Sequence, residues 1–378
     1  MTATVSKAGP YYSTGEIKFS SLRSNFRAQV RKETSSGSET FNTDTAEIKA
    51  SDLRRITSTS NTNPIVPDAT ENANITIGSD WKTSQFRGSI KYFYISQSDT
   101  EVNFDIDAQS WNSNLNKNVR KFLFIDGTCG SNSASSPAAQ LNATAFNLTV
   151  DTYGSILGAS GRGGGTTGAP AINGESGGNA LEMTSSSGAN NIVLVRSGAK
   201  IYGGGGGGEK GKTGDNGTGG TCRIDQRFQT GCQQGSNSCP GGWTQYGSGN
   251  SCCRYDRGCA ANIWYKDCFL TYSTSAGTGG GGGNGGPGRG YNNQSGSLTG
   301  SEGDNGTSGG TCTSGGYAIV TATGGKKGET GGTGGEWADA GGNTNNTGNG
   351  GGAGKAIFGS NYSVTGTINS DTVKGAYT

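Results

Sequence analysis

The chain has 378 residues, with 72 glycines, no histidine, and 30 Lys+Arg against 28 Asp+Glu for a net charge of +2. That balance speaks against nucleic acid as a partner, the missing histidine removes the Ser-His triad and most catalytic zinc sites, and no apolar run is long enough for a membrane-spanning helix. Hydrophobic residues are 30% of the chain, and 64 of the 72 glycines follow residue 157, so an oily core is expected only in the N-terminal part.

Residues 1–75 are polar and contain two echoing segments, IKFSSLRSNFR from Ile17 and IKASDLRR from Ile48. Ser20, Ser21 and Ser51 are N-cap candidates ahead of the Leu-Arg pairs. The apolar content is too low for a self-sufficient fold. We read an arm that grips another protein, with Phe19, Leu22, Arg23, Phe26 and Leu53 as attachment candidates, and then a linker beginning at Thr57. The start, MTATVSKAGPYY, lacks a hydrophobic signal region, so no secretory address is expected.

From residue 76 to 157 the pattern is β. Ile90, Tyr92 and Tyr94 alternate with their neighbours, as do Val102, Phe104 and Ile106; KFLFI at 121–125 and AFNLTV at 145–150 read as further strands. A small sandwich or β-layer is expected. The segment NLTVDTYGSILG (147–158) resembles IVLVRSGAKIYG (192–203), which points to stacked repeating units. AIFG (356–359) and YSV (362–364) are strand-like and close the chain.

After residue 157 glycine recurs with period three: at Gly205, Gly208, Gly211, Gly214 and Gly217, at Gly279, Gly282, Gly285 and Gly288, and in three later tracts ending at Gly309, Gly334 and Gly354. Three is the period of the polyproline-II helix, and a glycine edge lets backbones approach closely. The tracts are too short, and the 7 prolines too few, for collagen. They are expected to fold against one another, joined by main-chain hydrogen bonds.

Residues 222–268 interrupt this phase and hold Cys222, Cys232, Cys239, Cys252, Cys253, Cys259 and Cys268. Their spacing does not suit zinc, and a short insert without a core calls for disulfides. GDNGTGGTC, ending at Cys222, matches GDNGTSGGTC, ending at Cys312, so these two cysteines are expected to pair; the remaining pairings stay open, and Cys129 is left as a small buried residue. The insert is also rich in aromatics and arginine. Some of these rings must cover the bridges, but Trp, Tyr and Arg dominate binding hot spots. Trp243, Tyr246, Arg254, Tyr255, Arg257, Trp264 and Tyr265 are therefore the recognition-contact candidates.

The run from Asn147 onward, with GSILG at 154–158, GGNAL at 177–181 and IYGGGGGG at 201–208, resembles the tip adhesins of T-even-type phage tail fibres over roughly residues 80–378. IKFSSLRSNFR is similar to an ISFSxLRxxF segment of structural proteins from marine and T-even-like phages. The resemblance implies a mainly β plus polyglycine-II fold: an attachment arm (1–75), a small β-domain (76–157), and a C-terminal bundle of glycine-rich polyproline-II-type helices (158–378) carrying the insert. It implies a virion protein at the tail or fibre tip, made in the host cytoplasm, with no enzymatic activity, cofactor or metal. Its partners would be another tail or fibre protein and a host-surface glycan or outer-membrane protein, with a homo-oligomer as a further option. The alternatives are a structural tail or baseplate component, or a polysaccharide-degrading tailspike using Asp105 and Asp107 as its carboxylates.

Overall fold

Runs such as KFLFI and NIVLV are apolar on both faces, which suits strands of a parallel sheet covered on both sides rather than a sheet with one face in water. The computed structural model describes residues 31–32, 40–41, 66, 72–75, 82–87, 89, 93–111, 114–116, 121–167, 169–185, 190–231, 239–245, 251–255 and 262–377. Of these, 31–32, 40–41, 229–231, 251–255 and 262–265 are described by backbone pairing alone.

A two-residue antiparallel pair, β1 (Arg31–Lys32) with β2 (Thr40–Phe41), comes first. A 3-10 turn, Thr83–Phe86, then buries Phe86. Rungs of short strands follow: β3 (Phe93–Gln97), β4 (Thr100–Val102) and β5 (Phe104–Asp105); β6 (Lys121–Ile125), β7 (Thr128–Gly130) and β8 (Ala139–Leu141); β9 (Leu148–Thr152), β10 (Ser155–Leu157) and β11 (Leu181–Thr184); then β12 (Asn191–Val195) and β13 (Lys200–Tyr202). The chain next leaves on a long excursion that carries β14 (Gly220–Gly231), β15 (Thr244–Gln245), β16 (Ser251–Tyr255), β17 (Asn262–Thr274) and β18 (Tyr317–Val320). It returns as β19 (Ile357–Ser360), β20 (Tyr362–Gly366) and β21 (Val373–Lys374).

The rungs stack into three all-parallel sheets, ordered β3-β6-β9-β12-β20, β4-β7-β10-β13-β21 and β5-β8-β11-β19. This is a three-faced β-solenoid, where the sequence led us to expect a small sandwich or a β-layer. Its interior is built of ladders. Ile95, Leu123, Val150, Val193 and Val364 stack in one sheet, Cys129, Ile156, Ile201 and Val373 in the second, and Phe104, Ala139, Leu181 and Ile357 in the third. The alternate residues Phe122, Phe124, Ile192 and Leu194 are buried as well, which explains the uninterrupted apolar runs. Asn147, Asn190 and Asn361 each take positive φ (51°, 51° and 61°) immediately before β9, β12 and β20. Asparagine tolerates that left-handed corner better than other side chains do.

The glycine tracts fill the excursions after β10 and β13. Gly205, Gly208, Gly211, Gly214 and Gly217 donate their N–H groups to the carbonyls of Arg289, Gly286, Gly283, Gly280 and Gly277 at 2.7–2.8 Å, one bond per three residues. Gly280, Gly283 and Gly286 in turn donate to Lys326, Glu329 and Gly332 at 2.8–2.9 Å. Successive amides serve different neighbours: Gly205, Gly206 and Gly207 donate to Arg289, Asp339 and Glu175. The phase therefore fixes where tracts touch. The expected bundle of polyproline-II-type helices is nonetheless overturned, because the described residues are mainly β and Thr83–Phe86 is the only helical element among them. The tracts are neither helix nor sheet strand, and their shape is set by bonds to one another.

Candidate functional site

Where the glycine phase stops at Gly220, side chains return and with them an antiparallel sheet. Its order is β15-β17-β14-β18, with β16 also pairing β17. The 12-residue β14 and 13-residue β17 run opposite each other from Gly220↔Thr274 to Gly231↔Trp264. Period-two alternation sorts the hairpin into two faces.

One face is stapled. Cys222, Ile224, Gln226 and Phe228 lie opposite Tyr272, Leu270, Cys268 and Lys266. Cys222 is bonded to Cys312 with Cα atoms 5.7 Å apart, and Cys268 to Cys239 at 6.0 Å. The first bridge ties the root of the hairpin to the end of a glycine tract. Phe228 meets Trp243 edge-on at 5.1 Å between centroids, and Lys266 donates to the Gln245 amide oxygen at 3.2 Å.

The other face carries charge. Arg223, Asp225 and Arg227 lie opposite Thr271, Phe269 and Asp267. Arg223 donates Nε–H to Asp225 at 2.6 Å and sits over the Phe269 ring at 4.1 Å. Arg227 makes a two-point contact with Asp267 at 2.7 and 3.2 Å. Tyr317 of β18 donates its hydroxyl to Asp225 at 2.8 Å. That hydroxyl, and then Arg223, hold the Asp225 carboxyl below its ordinary range, and Arg227 does the same for Asp267. Both carboxylates stay ionised at neutral pH. A depression of about 380 Å³ opens along this ladder, lined by Arg223, Asp225, Gln226, Arg227, Asp267 and Cys268.

The structure places the expected contact residues unevenly. Trp243 is half-buried against Phe228. Trp264 and Tyr265 fall on β17 opposite Cys252 and Ser251, and Arg254 and Tyr255 on β16 opposite Ile263 and Asn262. Cys252 and Cys253 are on β16. Tyr246, Arg257, Cys232 and Cys259 lie outside the described residues, as do the attachment candidates Phe19, Leu22, Arg23, Phe26 and Leu53. Sequence reasoning did not single out the Arg223–Asp225–Arg227 ladder or β18, although alternating charge in RIDQR and the run YAIV after Gly315-Gly316 carry the signal.

Other chemistry finds little support. Asp105 accepts the Asp107 and Ala108 amides at 2.9 and 3.3 Å on Oδ1, and Asp107 accepts the Asn142 amide at 2.8 Å on Oδ2, while its buried Oδ1 has no partner among the described residues. Among the described residues no group of three His, Cys, Asp or Glu side chains is placed to hold a metal. Nor is any helix there long and apolar enough to cross a membrane. Cys129 is buried in the solenoid without a disulfide partner, and desolvation, aided by Glu101, pushes its thiol up to about 12.

Residues 91–263 match the family described as phage tail fibre adhesin Gp38. No curated protein matches the chain. The crystal structure of the gp37-gp38 adhesin tip complex of the bacteriophage S16 long tail fiber is similar at 15% identity over 79% of this chain and 87% of that chain. Its TM-score is 0.33, and that overlay carries no weight in the assignment. The matched stretch runs from the first solenoid rung into the antiparallel hairpin, and over those residues the chain is similar to the phage tail-fibre adhesin family.

Proposed function

We propose that the antiparallel sheet and its cysteine-rich insert, residues 222–268, contact the host receptor, a surface glycan or an outer-membrane protein. Residues 1–75 would hold the chain on another tail or fibre protein, and the solenoid with its glycine tracts would set the distance between the two ends. The observation that carries this reading is the sheet itself. Among the described residues of the glycine-rich excursion, side chains rather than backbone dominate there, and two disulfides stiffen it on one face while charged and aromatic groups stay accessible on the other. Rigid, pre-organised contact surfaces lose less entropy on binding. The adhesin acts by binding, not by catalysing a reaction.

Competition tests it. Purified chain, preincubated with host cells, should block phage adsorption in a dose-dependent way, and a chain lacking 223–268 should not. Equal blocking by both proteins would remove the insert from the receptor contact.

A further inference from the structure

The dipeptide Asn-Gly occurs five times, at Asn173, Asn216, Asn284, Asn305 and Asn349, always in the glycine-rich region. It is the chemically weakest asparagine context, because glycine puts no side chain between its own nitrogen and the preceding amide. Attack needs a glycine N–H that is free to lose its proton and an asparagine side chain free to turn toward it. In four of the five the fold withholds the nitrogen. Gly174 donates to the Asn349 carbonyl at 2.9 Å, Gly217 to Gly277 at 2.8 Å, Gly285 to Gly164 at 3.0 Å, and Gly350 to the Asn343 amide oxygen at 2.7 Å. Asn216 is held a second time, its Oδ1 accepting the Gly279 N–H at 2.8 Å. Asn305 differs. It is exposed, and neither its side chain nor the Gly306 N–H has a hydrogen-bond partner among the described residues. The contrast owes nothing to local sequence, since Asn216 and Asn305 both stand in GDNGT.

We propose that Asn305–Gly306 is a site of spontaneous covalent modification, through which the glycine frame ages. The Gly306 nitrogen, its proton lost to hydroxide, bonds to Asn305 Cγ. The Cγ–Nδ2 bond breaks, and the amide leaves as ammonia with a proton taken from water. Water then opens the five-membered imide: cleavage at Cγ leaves aspartate, and cleavage at the Asn305 main-chain carbonyl leaves isoaspartate, with one added carbon in the backbone. In sum, one amide and one water give a carboxylate and ammonium. The tract has no slack for the added carbon. Asp304 and Thr307 donate to Gly281 and Thr278 at 2.7 and 2.8 Å and accept from Gly328 and Gly325 at 2.9 Å, so bonds on both sides keep a three-residue register across Asn305. A Cβ on Gly306 would already lie 2.2 Å from the Gly325 carbonyl oxygen. Isoaspartate breaks that register in the tract that ends at Cys312, the partner of Cys222.

The test incubates the purified full chain at mildly alkaline pH, either native or reduced and unfolded in urea. Mass spectrometry follows each Asn-Gly peptide, and enzymatic methylation reads isoaspartate. Native Asn305 should convert about ten-fold or more faster than native Asn216. In urea the two rates should converge, because only the shared sequence then decides. Aged wild type should melt lower than fresh. Aged Asn305→Gln should not, since glutamine closes the larger ring slowly. Fresh Asn305→Asp should melt as fresh wild type, because it carries the charge without the added carbon. Equal native rates at Asn305 and Asn216, or no conversion of native Asn305, overturn the site. Conversion to isoaspartate with an unchanged melting temperature, or fresh Asn305→Asp melting as low as aged wild type, overturns the effect assigned to the added carbon.

Discussion

Gly207 has no room for a methyl group. A Cβ there would lie 1.9 Å from the Arg162 carbonyl oxygen, a main-chain atom that cannot swing aside, whereas at Gly352 the nearest atom would be the Ser176 hydroxyl at 3.5 Å. Both positions look alike in sequence, each a glycine among glycines. Gly207→Ala is expected to destabilise the fold by about 3 kcal/mol or more, and Gly352→Ala by less than about 0.5 kcal/mol. Thermal denaturation of the two variants checks this, and equal melting temperatures would show that close backbone contact is not what the glycines serve. Residue types told us which positions could approach a neighbour; they could not tell us which neighbour. Cysteine was more legible. Cys222 and Cys312 end two copies of nearly one sequence, and the two tracts come together in space. Asn147, Asn190 and Asn361 were legible only afterwards, because a left-handed corner is a property of the rung and not of the local sequence.

At the scale of elements, hydrogen bonding separates the two halves of the architecture. In the solenoid, parallel strands satisfy one another and bury side chains on both faces. The resemblance of 147–158 to 192–203 is the stacking of β9 and β10 under β12 and β13, with Ile156 directly beside Ile201. That repeat was visible in sequence, but KFLFI gives no phase to distinguish a doubly covered parallel strand from a sandwich strand, so the architecture was not. In the glycine tracts the period of three correctly marked inter-tract bonding. It suggested helices because a contact period says nothing about which secondary structure an element adopts. The Cys222–Cys312 bridge joins these tracts to the hairpin across 90 residues. A closed loop of that length restricts the unfolded chain strongly. Replacing both cysteines by serine is expected to cost about 2–5 kcal/mol, read as a lower midpoint in urea with the solenoid's far-UV signal retained at low denaturant. An unchanged midpoint would mean that the glycine tracts hold the hairpin root unaided.

For the whole molecule, the topology ties frame to display. The excursion leaves the solenoid after Tyr202 and rejoins it at Ile357, where β19 pairs with β11 and β20 with β12. Both ends of the glycine region are thus anchored in neighbouring rungs of one rigid core. A sheet stapled to such a frame can be held at a fixed distance from the solenoid without an apolar core of its own. On the proposed function, this sheet is the part of the molecule that meets the host. The most direct measurement is adsorption by phage carrying an in-frame deletion of residues 223–268, which leaves the Cys222–Cys312 pair in place. Particle yield and incorporation of the protein should match wild type, and adsorption to host cells should be lost. Normal adsorption by assembled mutant particles would contradict the claim.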